Sequence, residues 1–159
     1  MKNVETIIIL LLKINLLLLP CSCQREILDS SETYEGFLGA IPTSVLPHSD
    51  VTSFGQLCSF DEFVIYKLSI ENTKEFVAMI NRLEQIHNKP NYDFRSAVYL
   101  RTKKNKHGIK ICFDILSRDV MIGDRHFSMN DALVKYIEDN LYEHLGKDFC
   151  NPEYVDIYL

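Results

Sequence analysis

The chain has 159 residues, of which 47% are hydrophobic and 25% are charged. This composition is typical of one folded domain and excludes a disordered chain. The formal net charge of −5 argues against nucleic-acid binding driven by overall charge. We therefore expect a globular domain whose partner is not a nucleic acid.

The chain begins with an apolar segment that has the features of a targeting signal. Lys2 precedes an apolar run of about 15 residues that is interrupted by Lys13, whereas a membrane-spanning helix needs roughly 20. We therefore expect residues 1–22 to be an export signal. A permanent transmembrane anchor is the alternative.

The segment that follows is Pro20-Cys21-Ser22-Cys23. A short apolar stretch, a small residue and then a cysteine resembles a bacterial lipoprotein signal, whose cysteine becomes the lipidated first residue. Cys23 fits this position because Ser22 is small, although Pro20 and Cys21 depart from the leucine-like and the small or β-branched residue that the pattern prefers. The prediction is an exported protein of the cell envelope, tethered to the membrane through lipid on Cys23. An ordinary secretory signal and an unprocessed anchor are the alternatives.

The remaining cysteines are Cys58, Cys112 and Cys150. Three cysteines are too few for a disulfide framework, so the domain must be held by its own core. The five histidines are scattered, without a metal-ligand spacing, and no glycine-rich phosphate loop follows a strand. No metal site and no cofactor are expected.

Composition divides the chain after the signal into two parts. Residues 24–52 are rich in Ser, Thr, Gly and Pro and show no sustained period, although Phe37 and Leu38 are apolar enough to dock on a domain. We therefore predict a tether or irregular arm over residues 23–57 and a small α+β domain over residues 58–159.

Within that domain, alternating apolar residues predict strands and apolar residues at helical spacing predict helices. The predicted strands are 62–70, 96–102, 109–116 and 154–159, with a small extra hairpin over 119–127. The predicted helices begin near Asn72 and Ser128 and end near Asn88 and Gly146.

The element order is strand, helix, strand, strand, helix, strand. It predicts a ferredoxin-like split βαβ fold, an antiparallel sheet of four strands with both helices on one face. The alternative is another α+β sandwich in which residues 119–127 supply a fifth strand.

The face of this sheet that points away from the helices is the predicted binding surface. Aromatic residues beside Arg and Lys are typical of protein-binding surfaces. The residues expected there for binding are Lys67, Tyr99, Arg101, Asp114, Tyr154 and Tyr158, with Phe63, Ile65 and Cys112 on the same face. The alternative is that the arm or a helix covers this face.

A second predicted binding feature is a cluster of basic residues at one hairpin: Arg101, Lys103, Lys104, Lys106 and Lys110. No acidic residue lies among them, so we expect a local positive patch that contacts anionic phospholipid or an acidic protein. A solvated loop without a partner is the alternative.

Function is predicted from these surfaces rather than from a catalytic motif. We predict a non-enzymatic protein-interaction module with an inhibitor, immunity-type or adaptor role. The alternative is a small extracytoplasmic enzyme built from Cys112, His126 and nearby acids, which requires these groups to converge. Ser128 is interpreted as a helix cap and Asp124 as a turn residue.

The signal generates the first testable prediction. Mass spectrometry of the protein from its native membranes should find a mature chain that begins at an acylated Cys23. Cys23→Ser should release the protein from membranes, because one lipid-bearing residue supplies the tether. A different mature N-terminus, or an unmodified Cys23, would contradict the lipoprotein interpretation.

Overall fold

The computed structural model describes residues 26–45, 50–87, 93–105 and 107–149. The strands are β1 (Glu35–Ala40), β2 (Val64–Lys67), β3 (Glu84–Ile86), β4 (Ser96–Arg101), β5 (Ile109–Asp114), β6 (Asp119–Ile122) and β7 (Arg125–Ser128). The helices are α1 (Phe54–Leu57), α2 (Ile70–Ile80) and α3 (Asp131–Leu145), followed by a 3₁₀ turn at Lys147–Phe149. The strands form one open antiparallel sheet in the order β2-β1-β4-β5-β6-β7-β3.

Strand β1 lies inside the sheet, between β2 and β4, although it belongs to the segment that we predicted as an irregular arm. Leu38 is opposite Tyr66 on β2 and opposite Val98 on β4. Ile41 and Ala40 at its end are fully buried. The last three residues of β1 are all buried, so the strand reads as a short apolar run without alternation, which is why periodicity did not reveal it.

The main core lies between one face of the sheet and the two longer helices. Phe76 of α2 meets Phe113 of β5 edge to face, with ring centroids 5.9 Å apart, and both are fully buried. Ile137 of α3 belongs to the same cluster. The helices also contact each other, since the Tyr136 hydroxyl donates to the Asn72 carbonyl at 2.8 Å. The predicted arrangement, an α+β fold with both helices on one face of an antiparallel sheet, is therefore confirmed.

Helix α2 has different ends from those predicted. The residue that caps the start of the helix is Ser69 rather than Asn72. The Ser69 hydroxyl accepts a hydrogen bond from the Asn72 amide. The helix stops at Ile80 because the Asn81 side chain binds the backbone of Leu28, accepting from its N–H at 2.7 Å and donating to its C=O at 2.8 Å. The chain then turns into β3 instead of continuing to Asn88.

The predicted extra hairpin supplies two strands, β6 and β7. Gly123 adopts a φ of 60° in the turn between them, a conformation that glycine tolerates without steric cost. Ser128 belongs to β7 and is not the cap of α3, as we had predicted. Asn130 caps the helix instead, because its Oδ1 accepts from the Leu133 amide at 2.9 Å.

The order of the strands differs from the ferredoxin-like expectation. Strand β2 pairs with β1, which separates it from β4 and β5. The described sheet also has seven strands rather than four. The predicted last strand, 154–159, and the predicted signal, 1–22, lie outside the described residues.

Within the described ranges, no helix is both long enough and apolar enough to cross a membrane.

The cap assignment can be tested with two matched substitutions. Asn130→Ala should lower the free energy of unfolding by about 1 kcal/mol, because it removes the side-chain acceptor of the Leu133 amide. Ser128→Ala should change it by less than about 0.5 kcal/mol, since this exposed residue lies in β7. Urea unfolding measures both. A larger loss for Ser128→Ala would contradict the assignment.

Candidate protein-binding face

The sheet has a second face, opposite the two longer helices, and part of it is covered. Val51 and Leu57 pack there against Ala97 and Cys112, in a second, smaller core with Phe94. Helix α1 is capped by Ser53, whose hydroxyl accepts from the Gln56 amide. The alternative that the arm covers this face is therefore realised over one part of the sheet. We call the uncovered part the open face.

One row of side chains crosses the open face over four strands. Lys67 of β2 is opposite Phe37 of β1, Phe37 is opposite Tyr99 of β4, and Tyr99 is opposite Lys110 of β5. Residues opposite each other in antiparallel strands point to the same face, and three strand spacings span about 14 Å. Two half-exposed aromatic rings thus lie between two lysines. We call these four residues the aromatic row.

The two rings of the aromatic row, Phe37 and Tyr99, form the floor of a groove of about 300 Å³. Phe54, Phe63 and Ile65 form its walls. The Phe54 and Tyr99 rings are stacked with centroids 6.3 Å apart, and the Phe37 and Tyr99 rings are tilted with centroids 6.2 Å apart. Gly39 makes room for Phe63, because a Cβ at this position would lie 2.4 Å from the Phe63 ring. The groove is apolar over most of its surface and open to solvent.

Three cations approach the aromatic rings of the groove. The Arg101 guanidinium lies 5.0 Å and the Lys67 ammonium 5.9 Å from the centre of the Phe37 ring. The Lys110 ammonium lies 5.3 Å from the centre of the Phe54 ring. These distances fall within the range of favourable cation–π contacts, so the cations are held beside the groove.

Two of these cations share one carboxylate. Glu35 of β1 accepts from Lys67 and, at 2.6 Å, from Arg101 on the strands to either side. The hydrogen bond from Arg101 has the largest effect and the one from Lys67 the second largest, and together they lower the pKa of Glu35 to about 2. Glu35 therefore stays ionised and offsets much of the positive charge at this end of the row.

The basic hairpin is also less positive than the sequence indicated. Lys104 binds Glu32 at 2.6 Å, and Arg101 binds Glu35. Lys103 and Lys110 form no ion pair with any residue that the structure describes. Acids from the predicted arm thus compensate part of the patch, and Lys106 lies outside the described residues.

The other predicted binding residues are not at the groove. Asp114 is buried and holds loops in place, since its carboxylate accepts from the backbone amides of Asp93 and Ser117, each at 3.1 Å. Tyr154, Tyr158 and the lipidation residue Cys23 lie outside the described part of the chain. The structure therefore brings together Lys67, Tyr99 and Arg101 of the predicted set.

Sequence reasoning missed Glu35 and Phe54 and gave Phe37 only as a residue able to dock the arm on the domain; all three lie in the predicted arm. The signal that reveals β1 is the run Phe37-Leu38-Gly39-Ala40-Ile41, which is apolar on both faces. The run is short and contains a glycine, so it was not distinguished from the turn residues around it.

The alternative enzymatic site does not converge. Cys112 is opposite Met121 and Met121 is opposite His126, so β6 separates the thiol from the imidazole by two strand spacings, about 10 Å. Burial raises the pKa of Cys112 to about 12, the reverse of what a nucleophilic thiol needs. No group of three or more metal-ligating side chains occurs among the described residues.

Comparisons with known proteins contribute no relative for this chain: no protein-family model, curated protein or solved structure matches it.

The charge network at Glu35 generates a prediction on pH. A carboxyl whose pKa is lowered on folding contributes stability above its ordinary pKa of 4.5, and that contribution is lost as the pH falls toward about 2. The stability difference between the native chain and Glu35→Gln should therefore shrink over this range. Unfolding measured at several pH values tests this.

The matched control is Glu84→Gln, on the exposed edge strand β3 and in no ion pair with a described residue. The difference in unfolding free energy between Glu84→Gln and the native chain should change less over the same pH range. A Glu35→Gln difference that is independent of pH would show that the pairs with Arg101 and Lys67 are absent in solution.

Proposed function

We propose that this protein is an exported, membrane-tethered and non-enzymatic interaction module whose open face binds a segment of another protein. The observation that carries the proposal is the aromatic row, with a lysine at each end of two half-exposed rings. Burial of aromatic anchors supplies most of the energy at protein interfaces, and charges at the rim select the partner.

The groove indicates the chemistry of the partner. An apolar floor with aromatic walls accepts an aromatic or large aliphatic side chain. The side chain of Lys110, beside the Phe54 ring, has no acidic partner among the described residues, so an acidic residue of the bound segment would complement it. The proposed ligand is therefore an apolar anchor flanked by Asp or Glu.

The cellular context supports a binding role. The apolar segment before Cys23 supports export and a lipid tether, which would hold the open face close to partners in the cell envelope. The separation of Cys112 from His126 by β6 disfavours the enzymatic alternative. The role as inhibitor, immunity-type protein or adaptor follows from the identity of the partner.

A defined peptide tests this proposal. We expect Glu-Glu-Ser-Phe-Ser-Glu-Glu, labelled for fluorescence anisotropy, to bind the full chain in mild detergent more tightly than versions with Lys for Glu or Ala for Phe. Lys110→Gln should weaken binding several-fold and reduce its salt dependence, because it removes one rim charge. Tyr99→Ala should weaken binding at least as much.

The matched controls carry the same substitutions on the helical side of the molecule. Lys74→Gln and Tyr142→Ala change an exposed lysine of α2 and an exposed tyrosine of α3, and they should leave binding unchanged. Thermal unfolding checks that Tyr99→Ala is folded. Equal binding of the acidic and the basic peptide, or binding that is insensitive to Lys110→Gln, would overturn the proposal.

A further inference from the structure

The two edges of the sheet differ in how well they are protected from pairing with another strand. Among the described residues, β3 pairs only with β7 and β2 pairs only with β1. Strand β3 exposes Glu84 and Gln85, and a charge on an edge strand discourages edge-to-edge pairing. Strand β2 exposes Val64 and Ile65, at 41% and 58% of their surface, and its one charged residue, Lys67, is paired with Glu35 of the neighbouring strand β1. Its edge is the less protected one.

Among the described residues no strand pairs with the outer edge of β2, which leaves a defined set of its backbone groups without a strand partner. The Leu68 N–H donates to the Gly36 C=O at 3.0 Å, and in an antiparallel pair alternate residues bond to the same neighbour. Tyr66 and Val64 therefore direct their N–H and C=O toward β1. Ile65 and Lys67 direct theirs outward, whereas the Phe63 N–H is already bonded to the Phe60 C=O at 3.1 Å.

We infer that β2 pairs with β2 of a second copy of this chain, antiparallel and centred on Tyr66. In this register Ile65 exchanges both backbone hydrogen bonds with Lys67 of the partner subunit. By symmetry, Lys67 of the first chain exchanges both with Ile65 of the partner subunit. All outward groups of both strands are satisfied, with no demand on the occupied Phe63 N–H. The two sheets become one continuous sheet.

The side chains are compatible with this register. A two-fold axis perpendicular to the sheet places Tyr66 opposite Tyr66 of the partner subunit, and aromatic cross-strand pairs are favourable. The Tyr66 ring is held in place by His144 of α3, stacked on it with centroids 3.8 Å apart. Repulsion between the two lysines is reduced because each Lys67 is bound to Glu35 of its own chain.

The proposed dimer has a consequence for the open face. A two-fold axis perpendicular to the sheet directs both open faces to the same side, so two grooves would face a partner together. The inference does not depend on the proposed function, because it is carried by the backbone of β2. Since one short edge strand buries little area, the dimer should dissociate on dilution.

Light scattering on the full chain in mild detergent tests this inference. We expect the protein mass to rise from monomer to dimer with concentration. Ile65→Pro should abolish the rise, because it removes an outward N–H while leaving the bonds of Tyr66 and Val64 to β1 intact. The matched control Ile65→Thr keeps the N–H and a β-branched side chain, and should still dimerise.

Hydrogen exchange provides a readout that needs no substitution. Protection of the Ile65 and Lys67 amides should increase with concentration, whereas the Val64 and Tyr66 amides should be protected throughout. A monomer at all concentrations would overturn the inference, as would Ile65 and Lys67 protection that does not depend on concentration. Lys110→Gln should leave the mass unchanged, which separates this result from failure of the proposed peptide binding.

Discussion

The structure depends on the insertion of β1 between β2 and β4. Its alternate residues bond to the two neighbours, as shown by Ile41 donating to Arg95 on one side and Leu68 donating to Gly36 on the other. Leu38 packs toward the helices, while Phe37 contributes to the groove. Without β1, β2 has no described neighbour, and neither the aromatic row nor the charge pairs at Glu35 can form.

The two faces of the sheet separate stability from recognition. The helical face is closed by α2 and α3 around buried residues such as Phe76 and Phe113. Among the described residues, Val51, Phe94 and α1 close one part of the opposite face, and the part beyond them keeps half-exposed rings beside cations. Apolar surface that stays exposed and is rimmed by charges is a common feature of protein interaction sites, and it occurs here where the cover ends.

Electrostatic pairing shapes this surface more than the net charge does. Glu35 and Glu32 each bind cations that are far away in the chain, 66 residues for Arg101 and 72 residues for Lys104. Exposed pairs of this kind contribute little to stability. Among the hairpin cations that the structure describes, Lys103 and Lys110 are left without an acidic partner, so the positive surface is smaller than the basic hairpin alone indicates.

The sequence by itself determined the elements whose signals are local. Alternation predicted β4 and β5, the turn at Gly123 predicted the β6–β7 hairpin, and Gly146 marked the end of α3. The sequence also placed Lys67, Tyr99 and Arg101 on one face of the sheet, because side chains alternate between the two faces along a strand. Only the tertiary structure decided the position of β1, the end of α2 at Asn81 and the strand order. Each of these depends on partners distant in the chain, which a local pattern does not encode.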